Sequence, residues 1–375
     1  MTTKGVTNRS AALRLRLPRR LSPLSADGST VSFWQEQEAA REAWLKLDII
    51  VPTRNRATQL SRLLDSIREA ECPPGLEVTV IMVDNGSSDA TREAVSSAAS
   101  IHGKKPVYVF EPELGLAPAV NHGLRVATGD LVGRVDDDER IASDWLSTVF
   151  TTFQDPAVAF ISGPCMPDWG GPAPAWLPRA YPAVIGWIES GESAFEYGPG
   201  HAATMMGGNA VIRREWMERI GHFDAELGRK GDRLTAGEDA DYHDRLIANG
   251  ARGFYLPSLV IYHYIPPERL TKRYHRRWCF YRGISLAHID RVRRQPVAYL
   301  LGIPRHMFGT AARSLLFIAT RGWRRNANPE KVFTSELSLW DLMGFMYGRY
   351  FRRAHHKPTA PAIPSPPPAA GGATA

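Results

Sequence analysis

Asp136, Asp137 and Asp138 place three adjacent carboxylates in one run, directly followed by Glu139. Adjacent carboxylates repel one another and resist desolvation, so such a run usually lies where a cation or a metal-bound polyphosphate offsets its charge. The alternative is a solvated acidic turn. Residues 131–135, which are apolar except for Arg134, come directly before the triplet and predict a short buried strand, which would hold the triplet at a strand end.

Two other polar clusters also follow predicted strands. Residues 47–52 form an apolar run before the polar segment 53–56, and residues 78–83 form a second run before 84–87. The remaining signals are helical patterns over 60–67, 90–99 and 118–127 and a third strand over 107–110. This alternation indicates a parallel α/β sheet with right-handed crossovers, in which ligands bind beyond the carboxyl ends of the strands. All three polar clusters are therefore predicted at one rim of the sheet, which a solvated acidic turn would not explain.

The composition is that of an ordinary soluble globular protein. The 375 residues are 43% hydrophobic and 23% charged, which provides enough apolar material for a sizeable core. Cys72, Cys165 and Cys279 are too widely separated for a disulfide framework or a zinc site, and they favour a reducing, cytoplasmic location. No apolar stretch reaches the roughly 18 residues of a membrane-spanning helix, and the N-terminus lacks the features of a secretory signal.

The net charge of +7 is concentrated at the two ends of the chain. Residues 1–20 contain six bases and no acid, and a second basic region extends from 269 to 353. This distribution suits an anionic substrate or an anionic membrane surface, whereas no nucleic-acid-binding module is recognisable. Apolar and basic residues interleave between 300 and 321. That pattern predicts either peripheral contact with the inner face of a membrane or packing on the rest of the protein.

Four motifs, in this order, resemble the family 2 glycosyltransferases. They are residues 49–56 (IIVPTRNR), 83–89 (VDNGSSD), the aspartate triplet and 237–241 (GEDAD). The resemblance implies the GT-A fold, a Rossmann-like α/β fold with a mostly parallel sheet flanked by helices, here followed by a helical, basic C-terminal region. It also implies transfer of a sugar, with inversion, from a UDP-, GDP- or dTDP-sugar to an acceptor hydroxyl. The acceptor would be a glycan, a lipid-linked glycan or a small molecule.

The predicted organisation has four parts. Residues 1–46 form a basic, partly disordered extension that ends in a helical pattern from 33 to 45. Residues 47–285 form the glycosyltransferase domain, with a nucleotide-binding half (47–140) and an acceptor-binding half (141–285). Residues 286–356 form a helical region, for which association with a membrane is one interpretation. Residues 357–375 form a disordered tail rich in Pro, Ala and Gly. Within the acceptor half we expect a long loop over 163–182 and one strand over 256–264.

The donor-binding residues follow from the resemblance. Pro52, Thr53, Arg54, Asn55 and Arg56 are expected to flank the base of the nucleotide. Asp84 is expected to accept hydrogen bonds from the nucleoside, although an Asx-type turn without a ligand would use the same Gly-Ser sequence. The other residues assigned to the donor are Asn85, Gly86, Asn121, Asp136 and Asp137. Val120 is a departure, because many relatives carry an arginine there, so the identity of the sugar does not follow.

The triplet corresponds to the Asp-x-Asp metal site of the family. Asp138 is expected to bind a Mg²⁺ or Mn²⁺ ion that bridges the donor phosphates, and Asp136 is expected to face the ribose or the same metal. Such a cation neutralises charge on the leaving diphosphate. His263 is a further metal ligand in this interpretation, with a hydrogen-bonded structural histidine as the alternative. Arg273 and Arg277 are expected to hold the diphosphate, or else to form a solvated or membrane-facing basic surface.

Asp239 is the expected general base, with Glu238 supporting it. The base would remove a proton from the acceptor hydroxyl during a direct displacement, which inverts the anomeric configuration. The alternative is structural, since acids are also favoured at a helix N-terminus. Gly208 and Asn209 belong to a segment that lies near the acceptor in the family. Trp176 is expected either to stack on a sugar ring or to anchor its loop.

Other classes of function fit less well. A sugar-phosphate nucleotidyltransferase needs a glycine-rich phosphate loop after the first strand, and a nicotinamide oxidoreductase needs Gly-x-Gly-x-x-Gly there, whereas residues 52–56 contain no glycine. A catalytically silent scaffold that binds a nucleotide or a membrane surface is the alternative from a different class. Such a scaffold would not require the carboxylates that this chain retains.

Overall fold

The structure, a computed structural model, describes residues 44–198, 203–225, 227, 237–292, 294, 296–322, 324 and 326–351. The predicted helical pattern over 33–45 lies outside these residues except for its last two positions, and Leu45 begins a strand. The predicted tail over 357–375 also lies outside the described residues.

The strands are β1 (Leu45–Thr53), β2 (Leu76–Asp84), β3 (Val107–Phe110), β4 (Leu131–Arg134), β5 (Glu139–Ile141), β6 (Phe160–Ser162), β7 (Cys165–Trp169), β8 (Phe195–Glu196), β9 (Ala210–Arg213), β10 (Gly253–Tyr255), β11 (Ile261–Ile265), β12 (Tyr299–Leu300) and β13 (Ile303–Pro304). The α-helices are α1 (Leu60–Glu69), α2 (Thr91–Ser97), α3 (Leu116–Val126), α4 (Trp145–Phe153), α5 (Arg214–Ile220), α6 (Glu238–Ala248), α7 (Lys272–Val292), α8 (Arg305–Phe317) and α9 (Pro329–Tyr350). Short 3₁₀ turns lie at Pro182–Ile185, Gly207–Asn209 and Pro267–Leu270, and a π turn at Ile318–Gly322 follows α8.

The central sheet has eight strands in the order β3-β2-β1-β4-β9-β6-β10-β8. Strands β3, β2, β1 and β4 are parallel to one another, so the predicted mostly parallel α/β sheet flanked by helices is confirmed. Strand β1 is buried along nearly its whole length, as expected for a parallel strand covered on both faces. Helix α1 covers one face with an apolar stripe of Leu60, Leu63, Leu64 and Ile67, which have the period of a helix.

Strand β9 was not predicted, although it joins the two halves of the sheet. It runs antiparallel between β4 and β6, with Ala210 opposite Arg134 on one side and Ser162 on the other. Its four residues are too few to give a periodic signal, and its pairing partners lie far away in sequence. Strands β9, β6, β10 and β8 therefore extend the sheet that begins with the four parallel strands.

A smaller sheet of β5, β11 and β7 lies beside the triplet and differs from the prediction. The expected single strand over 256–264 is correct only in its second half, where β11 lies, because residues 256–260 connect β10 to β11 and belong to neither strand. The expected long loop over 163–182 contains β7, whose Cys165 is fully buried and pairs with Ile261. Pro and Gly around β7 obscure it in the sequence, because they normally mark loops. In this sheet His263 pairs with Glu139, which brings the histidine next to the triplet.

The C-terminal region is helical, as predicted. Helix α7 runs unbroken through residue 285, where the domain boundary was predicted, and packs against α9. The two backbones approach so closely that a Cβ on Gly344 would lie 1.9 Å from the carbonyl oxygen of Phe280. Ion pairs of Arg276 with Glu336 and of Arg282 with Asp341 join the same two helices. No helix in the described residues is both long enough and apolar enough to cross a membrane.

Candidate active site

The structure brings the three predicted polar clusters to one rim of the sheet. Thr53 and Asp84 end β1 and β2 as directly paired neighbours, and the triplet follows β4 on the other side of β1. The hydroxyl of Thr53 donates a hydrogen bond to Oδ2 of Asp137 over 2.8 Å. The first and third clusters are therefore in direct contact, as the strand pattern predicts.

The three aspartates of the triplet point to three different sets of partners. Asp136 pairs with Arg134, whose Nε donates to Asp136 Oδ1 over 3.1 Å. Asp137 accepts from Thr53, the first residue of the polar segment 53–56 that was predicted to bind the nucleotide. Asp138 is buried among cations, and its nearest ion pair is the 2.8 Å contact with Arg269. Asp136 thus lies towards α6, Asp137 lies at the end of β1, and Asp138 lies beside β11.

Arg134 connects the triplet to Asp239. Its guanidinium is buried, and Nη1 donates to Asp239 Oδ1 over 2.9 Å while Nε holds Asp136. Burial alone would lower the pKa of Arg134, but the charges of Asp136 and Asp239 raise it above its usual value, so the guanidinium stays charged. A single planar cation therefore orients two carboxylates that come from distant parts of the chain.

Two glycines leave room for this arrangement. The amide of Gly207 donates to Asp239 Oδ2 over 3.0 Å. A Cβ at Gly207 would lie 2.0 Å from Asp239 Oδ1 and 2.5 Å from Arg134 Nη1, so no side chain fits there without breaking the pair. A Cβ at Gly208 would lie 2.9 Å from Oε1 of Glu139 and 3.3 Å from Oδ2 of Asp136. The turn Gly207–Asn209 therefore approaches both acidic groups with its backbone.

Asp239 lies in the first turn of α6, which begins after Gly237 at a left-handed φ of 117°. Its side chain remains 26% exposed, so a ligand can reach it. Glu238, next to it, is buried, and its Oε2 has no hydrogen-bond partner among the described residues. Burial, together with the charge of Asp239, raises the pKa of Glu238 to about 7. The two predicted acids therefore differ in environment, with Asp239 accessible and Glu238 enclosed.

Asp138 and His263, the two predicted metal ligands on this side of the triplet, lie next to each other. His263 Nδ1 contacts the carbonyl of Ile185 at 2.9 Å, which directs Nε2 towards Asp138 Oδ1, 3.4 Å away. A histidine held in this way by a backbone carbonyl is typical of metal sites. Arg269 also contacts both groups, with Nη1 2.7 Å from His263 Nε2 and Nη2 2.8 Å from Asp138 Oδ2. Arg56 adds a second cation 3.5 Å from Asp138.

Asp138 and His263 fit a site for a divalent cation whose remaining ligands come from a bound substrate. Asp138 and His263 supply an oxygen and a nitrogen, which suit Mg²⁺ or Mn²⁺. Among the described residues there is no group of three or more His, Cys, Asp or Glu that could hold a metal by itself. Mg²⁺ sites that handle phosphates commonly use one or two protein ligands and complete the shell with phosphate oxygens and water.

The remaining carboxylates in the triplet region are strongly affected by burial. Burial raises the pKa of Asp137 to about 7, and the charge of Asp138 adds to the shift. Burial and the charge of Asp136 also raise the pKa of Glu139 well above its usual value. Burial acts on Asp138 in the same direction, but His263, Arg269 and Arg56 together hold its pKa below the usual range. Of Asp137, Asp138 and Glu139, Asp138 is therefore the carboxylate whose ionised form its neighbours stabilise, which is the form that binds a cation.

The residues around the second predicted cluster form a hydrogen-bonded turn. Asp84 accepts from the amide of Ser87 and from the hydroxyl of Tyr108, both over 2.8 Å. Asn85 donates to the carbonyls of Glu111 and Glu113 and accepts from the amide of Gly115. The Asx-type turn expected as an alternative is therefore present. It holds Asp84 at the rim and leaves its role towards a nucleoside as a prediction.

The loop after β1 is attached to this turn. The amide of Asn55 donates to Ser87 Oγ over 2.9 Å, and the amide of Ser88 donates to Asn55 Oδ1 over 2.8 Å. Asn55 adopts a left-handed φ of 54°, which asparagine tolerates better than most residues. The nucleotide-binding segments predicted after β1 and β2 thus form one connected surface.

Several predicted site residues have structural partners away from the triplet. Asn121 exchanges hydrogen bonds with the backbone of Phe223. Asn209 is fully buried, accepts from Trp145 Nε1 and donates to two backbone carbonyls. Trp176 packs edge-on against His275 and Phe333, in agreement with the loop-anchoring alternative. Their assignments to donor and acceptor remain predictions.

Arg273 and Arg277, which were predicted to hold the diphosphate, are exposed on α7. The guanidinium of Arg277 lies 5.8 Å from the ring of Tyr281. In the part of the chain that the structure describes, the arginines that contact the triplet are Arg134, Arg56 and Arg269. Arg269 precedes α7 in the turn Pro267–Leu270, so the helical spacing used to group the arginines did not distinguish it. Arg134 was missed, although its position two residues before Asp136 could have indicated a shared strand face.

Residues 48–221 match the sequence model of the family described as glycosyl transferase family 2. The succinoglycan biosynthesis protein ExoM of Rhizobium meliloti is 27% identical over 230 residues, which cover 60% of this chain and 69% of that protein. A glucosyl-dolichyl phosphate glucuronosyltransferase of Haloferax volcanii is 25% identical over 199 residues, which cover 52% of this chain and 61% of that protein. A pre-mycofactocin glycosyltransferase of Mycobacterium tuberculosis is 29% identical over 216 residues, which cover 57% of this chain and 42% of that protein. The chain thus spans less than two thirds of the length of two of these three relatives.

Among solved structures, the mannosyltransferase PcManGT of Pyrobaculum calidifontis, in complex with GDP-Man and Mn²⁺, superposes with a TM-score of 0.56. The match covers 85% of this chain and 94% of PcManGT, and the two sequences are 22% identical. At that identity the likeness establishes a shared fold.

Proposed function

We propose that this chain, whose residues 48–221 match the sequence model of glycosyl transferase family 2 and whose fold is that of the GT-A enzymes, is an inverting, metal-assisted glycosyltransferase with Asp239 as its general base. The donor would be a nucleoside-diphosphate sugar. The acceptor would be a hydroxyl group on a glycan, a lipid-linked glycan or a small molecule.

One observation carries the proposal, namely that Arg134 holds Asp239 and Asp136 at the same time. Asp136 belongs to the triplet that would lie against the diphosphate, and Asp239 belongs to the group that would receive the acceptor's proton. One rigid guanidinium orients both carboxylates. The group that would lie against the leaving diphosphate and the group that would accept the proton are therefore held at a fixed distance and orientation. A structural acid at a helix N-terminus would not need this link to the triplet.

The proposed step is a single displacement. The acceptor hydroxyl gives its proton to Asp239 while its oxygen forms a bond to the anomeric carbon. The bond between that carbon and the diphosphate oxygen breaks, and the nucleoside diphosphate leaves with the electron pair. Attack from the side opposite the leaving group inverts the anomeric configuration. The amide of Gly207 and Nη1 of Arg134 orient the carboxylate of Asp239, and its exposed portion can accept the proton.

Asp138 and His263 would hold the Mg²⁺ or Mn²⁺ ion, with Asp136 as the other carboxylate near the diphosphate. When bound, the ion supplies Lewis-acid neutralisation of the charge on the leaving diphosphate. PcManGT was solved with Mn²⁺ and GDP-Man, which supports a divalent cation and a nucleotide-sugar donor for this chain as well. Arg56 and Arg269 already contact Asp138 and can turn towards the diphosphate oxygens, a role first expected for Arg273 and Arg277.

The experiment that tests the proposal measures nucleoside diphosphate released from UDP-, GDP- and dTDP-sugars with Mn²⁺ or Mg²⁺, with water as the default acceptor. Asp239→Asn and Asp138→Ala are expected to lower release by at least about 100-fold. Asp144→Asn changes an exposed aspartate outside the site and serves as the matched control. NMR of the product sugar then reports whether the anomeric configuration is inverted.

The outcomes separate the alternatives. Full activity in both site variants would contradict the assignment of Asp239 and Asp138. Retention of configuration would contradict the single displacement while leaving the transferase activity in place. If no donor is turned over but nucleotides bind, the catalytically silent scaffold is favoured. Release of pyrophosphate from a nucleoside triphosphate and a sugar phosphate would indicate a nucleotidyltransferase.

A further inference from the structure

The C-terminal half of α9 presents apolar side chains to solvent. Its inner positions, including Phe345 and Gly348, are buried, while the outer positions Met346, Tyr347 and Tyr350 are exposed. Phe351, directly after the helix, is 75% exposed and stacks on Tyr347 with ring centroids 6.0 Å apart. A surface helix normally carries polar residues on its solvent face. This half of α9 is apolar on both faces, which indicates that a further partner covers the outer one.

The hairpin β12–β13 adds to the same surface. The hydroxyl of Tyr350 donates to the carbonyl oxygen of Leu301, which fixes the tip of the hairpin against the end of α9. Leu300 is half exposed and Leu301 is 76% exposed. These six residues, hereafter the outer face, are Leu300, Leu301, Met346, Tyr347, Tyr350 and Phe351.

Leu301 has a backbone conformation that is unfavourable for leucine. It and Gly302 form a two-residue turn with φ angles of 51° and 68°, both in the left-handed region. Asn-Gly is the favoured sequence for such a turn, because a leucine pays a steric penalty at positive φ. Burial does not compensate for this penalty, since the side chain is largely exposed. A leucine that strains the turn and remains in solvent is explained by a contact with a partner.

The charges around the outer face are positive. Arg294 lies with its guanidinium 4.3 Å from the ring of Tyr299, Arg305 is exposed directly after β13, and Arg349 lies against the turn at Gly302. The acids of residues 296–351 are engaged elsewhere. Glu336 pairs with Arg276, Asp341 pairs with Arg282, and Glu330 accepts from the amide of Arg179. Asp290, which precedes this segment, is buried and accepts from the hydroxyl of Tyr299.

We propose that the outer face is a docking surface for an anionic phospholipid bilayer, with its leucines and aromatic rings entering the interface and its arginines contacting the headgroups. Leucine at a protruding tip, tyrosine at the headgroup level and a basic border are the features of peripheral membrane binding. A second copy of the chain fits less well, because a symmetric dimer would bring two arginine-rich borders together. The proposal goes beyond sugar transfer and does not depend on it.

The test is flotation of the full-length protein with phosphatidylcholine vesicles and with vesicles containing about 30% phosphatidylglycerol. Binding to the anionic vesicles is expected to exceed binding to the neutral ones and to weaken as salt is raised. Leu301→Asn removes one apolar contact and places a favoured residue in the turn, so thermal stability should be kept or raised while vesicle affinity falls. The double variant Leu301→Asn with Phe351→Ser is expected to lose about tenfold or more in affinity.

Phe110→Ser is the matched control, because Phe110 is an equally apolar residue that is half exposed on β3, outside the outer face. Its vesicle affinity should match that of the unmodified protein. Equal binding of the double variant and the unmodified protein would overturn the proposal and assign any binding to other basic segments. Absence of binding to anionic vesicles would overturn it as well. So would a concentration-dependent dimer, seen by light scattering, that the double variant abolishes, because the outer face would then be a self-association surface.

Discussion

Arg134 Nη1 donates to Asp239 Oδ1 over 2.9 Å, although 105 positions separate the two residues in sequence. Arg134 ends β4, next to the triplet, and Asp239 lies in the first turn of α6. The contact therefore ties the parallel part of the sheet to the helix that carries the proposed base. Because Arg134 is buried and charged, both of its carboxylate partners are held in fixed orientations.

Replacement of Arg134 by lysine is expected to lower the turnover number by about 100-fold, because one ammonium cannot hold two carboxylates as a planar fork does. Nucleoside diphosphate release measures the effect. Arg252→Lys is the matched control, since Arg252 forms an exposed pair with Glu196 outside the site and should leave turnover unchanged. Equal turnover in Arg134→Lys and the unmodified protein would show that the link between Asp136 and Asp239 is unimportant for the reaction.

Gly207→Ala is expected to reduce turnover at least about tenfold, because the added Cβ would overlap Asp239 Oδ1 and Arg134 Nη1. Donor affinity, measured by calorimetry, should change much less, since the overlap is at the base and not at the nucleotide segments. Gly171→Ala is the control, because a Cβ there meets nothing within 4 Å. A large loss of donor affinity with normal turnover would contradict this assignment.

Glu238→Gln is expected to increase the free energy of unfolding at pH 8 and to change it little at pH 4.5. Burial raises the pKa of Glu238 to about 7, so the folded protein binds a proton that the unfolded chain has already released between about pH 4.5 and 7. In the unmodified protein this group therefore lowers stability as the pH rises through that window. Above it, the cost of the buried charge is on the order of 3 kcal/mol.

Denaturant unfolding of both proteins from pH 4.5 to 8 measures this difference. The gain in stability from Glu238→Gln should grow with pH and level off above about 7. Glu218→Gln is the control, because Glu218 is exposed on α5 in a pair with Arg214. A stability difference that does not vary with pH would contradict the raised pKa of Glu238.

Arg269→Met is expected to strengthen Mn²⁺ binding to the nucleotide-free protein. Arg269 contacts both Asp138 and His263, so a cation that binds these two groups must displace the guanidinium and overcome its charge. Calorimetry or the EPR signal of free Mn²⁺ reports the affinity without any turnover. Arg273→Met removes an exposed arginine four residues away and should have little effect. Weaker Mn²⁺ binding in Arg269→Met would show that Arg269 supports the metal site rather than competing with it.

Much of the half that was predicted to bind the nucleotide could be located from the sequence, because its strands and helices produce local patterns. Buried runs that end in polar residues identify strand ends, and parallel strands bring those ends together, as Thr53 and Asp137 show. The place of Asp239 relative to the triplet followed only from the order of the motifs. Its actual link, through Arg134 and Gly207, depends on long-range packing that no local spacing encodes.

The half of the domain that was predicted to bind the acceptor was harder to predict, for a physical reason. Strands β7 and β9 are short, and their partners are distant in sequence, so they leave no periodic signal. The division of the triplet among Arg134, Thr53 and Arg269 depends on how β5, β9 and β11 surround it. Adjacent aspartates look equivalent in a sequence, and only their neighbours in space distinguish them.

The position of strand β9 between β4 and β6 limits how chimeric proteins can be built from two related glycosyltransferases. It is antiparallel to both β4 and β6, so it forms hydrogen bonds to the strand before the triplet and to a strand of the later half. A chimera that joins the first half of one relative to the second half of another at residue 140 would pair a foreign β9 with the native β4. Such hybrids should retain a working Arg134–Asp239 contact only when β4, the turn Gly207–Asn209 and β9 are transplanted as one block.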